Sequence, residues 1–223
     1  DEVTHDERDG YLKEVALAER QRSGSLDIEI NRRHNTRCHQ CKSRIYALIG
    51  HVHGVVEHKF KATRVSVLQS GYDDDSKSSR ALTRIYRELV SFRGYKQFVK
   101  SKTLQRCDLF VPAIGSVVEL DEHQHFSAAR ALAISNYPDW LDCGFDRDEY
   151  LGYCRQIDAK DNDPAFRDEQ RAWYDTIRDF LPVILPGMVR SSTIRIPLGF
   201  HEWCSLDVND PVHVQAFRRL TGI

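Results

Sequence analysis

Between Cys107 and Asp121 the chain reads CDLFVPAIGSVVELD, two short runs rich in Val, Leu and Phe around a Pro–Ala–Ile–Gly break. Runs of this kind separated by turn residues predict a β-hairpin, with the turn at Ala113–Gly115. Side chains alternate across a strand, so Val118 and Leu120 point one way and Glu119 and Asp121 the other. Two carboxylates on one strand face repel each other, and they are costly to desolvate unless water or a cation neutralises them.

The same hairpin brings Asp108, at the start of the first strand, towards Glu119 and Asp121 near the end of the second. Three converging carboxylates make a hard-oxygen site suited to Mg²⁺ or Mn²⁺. Such an ion activates water and neutralises charge on a phosphate. Gln124 and His125 follow the strand directly, where they can orient water or contact phosphate. The competing expectation is a solvated strand end with no metal.

Around the hairpin the periodicity is mixed. SSRALTRIYRELVSF has helical spacing at Leu82, Ile85, Tyr86, Leu89 and Val90, with Ser78 or Ser79 as cap. FSAARALAISN predicts a helix that stops before Pro138, and a loop rich in Asp, Gly and Tyr follows. DPAFRDEQRAWYDTIRDFL predicts a strongly amphipathic helix with Pro164 in its first turn. STIRIPL predicts a late strand, and DPVHVQAFRRLTG a terminal helix. This order predicts an α/β fold with a mixed central sheet flanked by helices. The division expected is a charged N-terminal segment, residues 1–65 with its own helix near Leu12–Leu17, and a larger domain, residues 66–223.

The composition fits a soluble chain. Of 223 residues, 41% are hydrophobic, enough for a sizeable core, and 29% are charged. No apolar run approaches the roughly 18 residues of a membrane span, and no secretory signal is visible. Lys and Arg number 32 against 33 Asp and Glu, so a nucleic-acid partner would have to be met by a locally basic face. The densest such region in the sequence surrounds Arg32, Arg33, Arg37, Lys42, Arg44, Lys59, Lys61 and Arg64; a solvated face is the alternative.

The order of motifs resembles the PD-(D/E)XK restriction-endonuclease-like superfamily, in the branch related to very-short-patch repair endonucleases. The matching residues are Glu88 in YRELVSF, DLFVP from Asp108 to Pro112, and VELDEHQHF with Glu119, Asp121, Gln124 and His125. Asp168 and Arg171 resemble the family's Asp-x-x-Arg helix, and Arg195 in STIRIP its closing strand. The resemblance spans roughly residues 79–200. It implies a restriction-endonuclease-like core and a Mg- or Mn-dependent nuclease, with DNA as the partner and a homodimer or partner subunit left open. Glu88 would then line the site and Arg171 would sit near phosphate, where an i,i+3 surface pair with Asp168 is the other option. Asp121 stands where the motif has lysine, and Glu122 where the family has glycine. A silent nucleic-acid- or protein-binding module on the same fold is therefore the second expectation.

Six cysteines are scattered along the chain, unlike a small disulfide scaffold, which points to a reducing, cytoplasmic setting. Cys38-His39-Gln40-Cys41 has half the spacing of a zinc knuckle, expected as a tight turn before a short helix. His51 and His53 are the first candidates for the remaining ligands, with His34, His58, Cys143 and Cys154 behind them. The alternative is a pair of partly buried free thiols.

Overall fold

The computed structural model describes residues 27–222 apart from 63, 64, 69, 70, 73, 186 and 202, with side chains from residue 40 onward. The helix expected near Leu12–Leu17 lies outside the described residues. Two compact units divide the chain, one ending at Val56 and resuming at Ile196, the other running from Glu57 to Arg195.

In the larger unit, helix α2 (Lys77–Arg93) begins at Ser76, whose side chain accepts from the Ser79 amide, and ends at Gly94 in the left-handed region. The cap is thus Ser76 rather than Ser78 or Ser79. Leu82, Ile85 and Leu89 form the buried face, each contributing about 1.5–3 kcal/mol by leaving water. The hairpin forms as expected: β2 (Leu109–Val111) and β3 (Ser116–Asp121) pair antiparallel with Leu109 opposite Val118. Gly115, at φ 57°, closes the turn beneath Val189, where a Cβ would collide. Ahead of the hairpin, the strand-like sequence VVEHKFKATRVSVLQ contributes β1 (Glu57–His58), paired with β2. With β4 (Ile194–Pro197) the four strands make a mixed sheet in the order β1-β2-β3-β4, flanked by helices.

Three further helices cover this unit. α3 (Ala128–Ser135) is capped by Ser127. α4 (Arg147–Ile157), capped by Asp146, occupies what the sequence suggested was loop. α5 (Arg167–Ile184) begins after Pro164 rather than around it, and every residue from Asp168 to Leu181 except Arg171 is buried. Trp173 on α5 fixes it by donating Nε1–H to the Val67 carbonyl at 2.8 Å. A helix enclosed on nearly all sides must pair its own polar side chains internally, and this one carries Asp168, Asp175, Arg178 and Asp179.

The smaller unit holds α1 (Asp27–His53), one continuous helix, so Cys38 and Cys41 sit within a helix rather than in a tight turn. Cys41, Ile45, Leu48 and Ile49 are buried on it. A short 3-10 turn (Trp203–Ser205) and α6 (Pro211–Thr221) pack alongside, with Trp203 edge-on to Phe217 at 6.2 Å. A disulfide joins Cys41 to Cys204 within this unit. No helix among the described residues is long and apolar enough to cross a membrane.

Candidate metal centre

The hairpin does bring Asp108 to Glu119, but through the backbone. The Asp108 amide donates to Glu119 Oε1 at 3.2 Å, and the Leu120 amide donates to Asp108 Oδ2 at 2.9 Å. All six residues of β3 are buried, so the acidic face is not a solvated strand end. Asp121 is engaged from β4 and from α4. Its Oδ1 receives Arg195 Nη1 at 2.6 Å, and its Oδ2 the hydroxyl of Tyr150. The Asp108/Glu119/Asp121 triple expected from the strand pattern is therefore not assembled as one donor set: Asp108 and Glu119 are tied to backbone amides of the hairpin, and Asp121 groups with His125 and Asp175 instead.

A larger ionic network takes its place. Arg195 Nε donates to Asp179 Oδ1 at 2.6 Å, and Arg130 Nη2 donates to Asp179 Oδ2 at 2.6 Å. Arg178 lies 3.3 Å from Glu119 Oε2 and 3.4 Å from Asp175 Oδ1. His125 Nδ1 donates to Asp175 Oδ2 at 2.8 Å, with Asp121 Oδ1 at 3.4 Å. Four acids (Glu119, Asp121, Asp175, Asp179) thus face three arginines and His125. With Glu119 ionised, charge among these groups closes only if the imidazole carries its second proton.

The proton affinities follow this arrangement. Burial alone would push the His125 imidazole down, but the Asp175 carboxylate, with Glu122 and Asp121, outweighs it and raises the pKa to about 10. Burial pushes the Glu119 carboxyl up; Arg178 opposes, Asp108 adds, and the pKa stands at about 7. For Asp175 the burial penalty is overcome by His125 and Arg195, which hold it well below the usual carboxylate range.

Asp121, His125 and Asp175 each offer one ligand atom, all within 4.8 Å of one another, and among the described residues this is the group that could hold a metal ion. A divalent ion there must take the place of the proton on His125 Nδ1, because Arg195, Tyr150, Arg178 and His125 already engage the carboxylate oxygens. With that exchange the donors fit. One imidazole nitrogen and two carboxylate oxygens suit Mn²⁺ or Zn²⁺ better than Mg²⁺, which prefers oxygen throughout. Only His125, with 16% of its side chain exposed, reaches solvent.

The other expected residues are dispersed around this centre. Gln124 Nε2 donates to Glu122 at 3.2 Å, and its carbonyl accepts from Arg171 Nη1 at 3.1 Å. Arg171 also pairs with Asp161 at 2.8 Å, so it braces the turn below His125 instead of pairing with Asp168. Asp168 accepts from the Asp161 amide and lies 3.5 Å from Arg93. Glu88 is exposed and lines a groove of about 620 Å³ with Tyr72, Arg80 and Arg84; no contact joins it to the network among the described residues. The zinc knuckle is also corrected. Cys41 is bonded to Cys204 and offers no thiolate, and His51 and His53, two apart on a helix, point to different sides. The side chain of Cys38 lies outside the described residues.

Sequence reasoning missed Asp175, Arg178, Asp179, Arg130 and Tyr150. The signal was available: Asp168, Arg171, Asp175, Arg178 and Asp179 recur at i, i+3, i+7, i+10 and i+11, one charged stripe on a helix with a long apolar face. No family model matches the chain, and neither does any curated protein or solved structure.

Proposed function

We propose that this chain is a divalent-metal-dependent nuclease that hydrolyses phosphodiester bonds of DNA. The observation that carries the proposal is the clustering of Asp121, His125 and Asp175 within 4.8 Å at the end of β3, where the resemblance expects a hydrolytic centre. These three would hold the ion, which when bound would supply Lewis-acid charge and an acidified water. Arg195 and Tyr150 fix the orientation of Asp121, and Arg178 and Arg195 lie beside Asp175. Glu119, with its pKa at about 7, can take up or release a proton at neutral pH. His125, the one partly exposed member, marks the side from which a substrate approaches.

The test is cleavage of labelled single- and double-stranded DNA and RNA with Mn²⁺ and Mg²⁺, for the wild type and for Asp175→Asn and His125→Ala. Metal-dependent cutting of DNA that both variants lose, while still folded, supports the proposal. A wild type that cuts nothing with either ion sinks it.

One observation favours a silent binding module instead. The network balances its own charge with arginines and His125 and needs no metal to be stable. Calorimetric titration with Mn²⁺ separates the two: heat of binding that His125→Ala abolishes speaks for the nuclease, and no heat for the silent module.

A further inference from the structure

Net charge for the whole chain is −1, yet from Gly94 to Cys107 the sequence carries Lys96, Lys100, Lys102 and Arg106 and no acid. The facing segment, residues 57–67, adds Lys59, Lys61 and Arg64, with Glu57 its single acid. The fold ties these two stretches together. Val67 donates to the Lys102 carbonyl at 3.3 Å, Leu104 to Val65 at 3.1 Å, and Cys107 to Phe60 at 2.8 Å. The six described cations (Lys59, Lys61, Lys96, Lys100, Lys102 and Arg106) are exposed, and among the described residues no carboxylate is ion-paired to any of them.

This ribbon joins the base of the hairpin and the Arg178 edge of the ionic network. The Lys59 amide donates to the Asp108 carbonyl at 2.8 Å, and Asp108 in turn bonds Glu119. Arg178 Nη2 reaches the Arg106 carbonyl at 3.5 Å. Its exposed side chains are the six cations with Glu57, His58, Gln97, Thr103 and Gln105, and among the described residues none of the large exposed hydrophobics lies on it. With no fully exposed Phe, Tyr or Trp among its described residues, the ribbon offers unpaired bases little to stack on and suits phosphates instead.

We infer that the ribbon formed by residues 57–62, 65–67 and 94–107 binds the phosphate backbone of double-stranded DNA without regard to sequence and guides it to the Asp108–Glu119 end of the hairpin. The inference rests on the nucleic-acid partner proposed above, but not on catalysis. Each engaged cation releases condensed counterions, which makes binding steeply salt-dependent, by about 0.9 in log K per log salt for each phosphate neutralised.

The experiment is fluorescence anisotropy of a labelled DNA duplex with full-length protein in EDTA, so that no metal and no cleavage are involved. Wild type binds at low salt, and two duplexes of unrelated sequence bind equally. Lys102→Ala lowers the salt slope by about 1, and the double reversal Lys59→Glu, Lys102→Glu weakens binding at least about tenfold. Lys160→Glu, off the ribbon and 71% exposed, is the control and leaves binding unchanged. Thermal melts confirm that each variant is folded. No binding at low salt, reversal variants that bind like wild type, or equal displacement of the duplex by polyglutamate would overturn the inference. Binding without metal-dependent cutting would remove the nuclease proposal and leave this one standing.

Discussion

Arg195 Nη1 stands 2.6 Å from Asp121 Oδ1, and both side chains are fully enclosed. The pairing explains how an acid is tolerated at the end of a buried strand: β4 supplies the cation. Its other nitrogens are equally committed, Nε to Asp179 and Nη2 to the Asp175 carbonyl. Removing one partner of such a group leaves a buried charge without compensation, a loss of about 3–5 kcal/mol. Arg195→Leu should therefore destabilise the protein by that amount, read as a large drop in the chemical-denaturation midpoint. Arg195→Lys should recover part of it, since lysine restores the charge but not the forked hydrogen bonds. A leucine variant as stable as wild type would show that the network is not held by this residue.

Glu119 gives a stability signature with pH. Its pKa rises from the ordinary carboxylate value near 4.5 to about 7 on folding, so the folded state holds its proton more tightly than the unfolded chain. Stability from this group is highest below pH 4.5, falls as pH rises to about 7, and is level above that. Glu119→Gln removes the penalty of burying a carboxylate. The variant should lose the decline between those pH values and be more stable than wild type at pH 8, by denaturant titration across the range. An unchanged slope in the variant would assign the decline elsewhere.

The hairpin was legible because its signal is local: alternating apolar residues and a glycine turn fix the pairing of Leu109 with Val118 whatever surrounds it. The destination of Asp121 was not, since its partners lie 4, 29, 54 and 74 residues away in His125, Tyr150, Asp175 and Arg195. Helix α4 escaped for a different reason. RDEYLGYCRQI contains Gly152 and only two buried positions, Tyr150 and Cys154, so its hydrophobic period is faint. The Cys-x-x-Cys spacing misled because it matches half a zinc site, whereas Cys41 finds its partner 163 residues along.

Metal binding at Asp121, His125 and Asp175 is competition with a proton. His125 folds with a pKa of about 10, so at neutral pH the ring must shed its Nδ1 proton before coordinating. Apparent Mn²⁺ affinity should therefore rise about tenfold per pH unit between pH 7 and 9. Calorimetry in buffers of different ionisation enthalpy should find about one proton released per ion bound. Affinity flat across that pH range would place the ion on carboxylates alone.

The Cys41–Cys204 bond carries the last expectation. It closes a loop of 163 residues in sequence, and a cross-link of that span restricts the unfolded chain strongly, by about 2–5 kcal/mol in small proteins. Cys41 is buried, whereas Cys204 is partly open, so a small reductant has access from one side. Dithiothreitol should lower the melting temperature, and Cys204→Ser should lower it equally without reductant. The network around Arg195 lies in the other compact unit. Mn²⁺ binding by the reduced protein should therefore be unchanged below its melting point. A reductant that leaves the melting temperature alone would mean that the two sulfurs are not bonded in solution, and one that abolishes metal binding would mean that the two units unfold together.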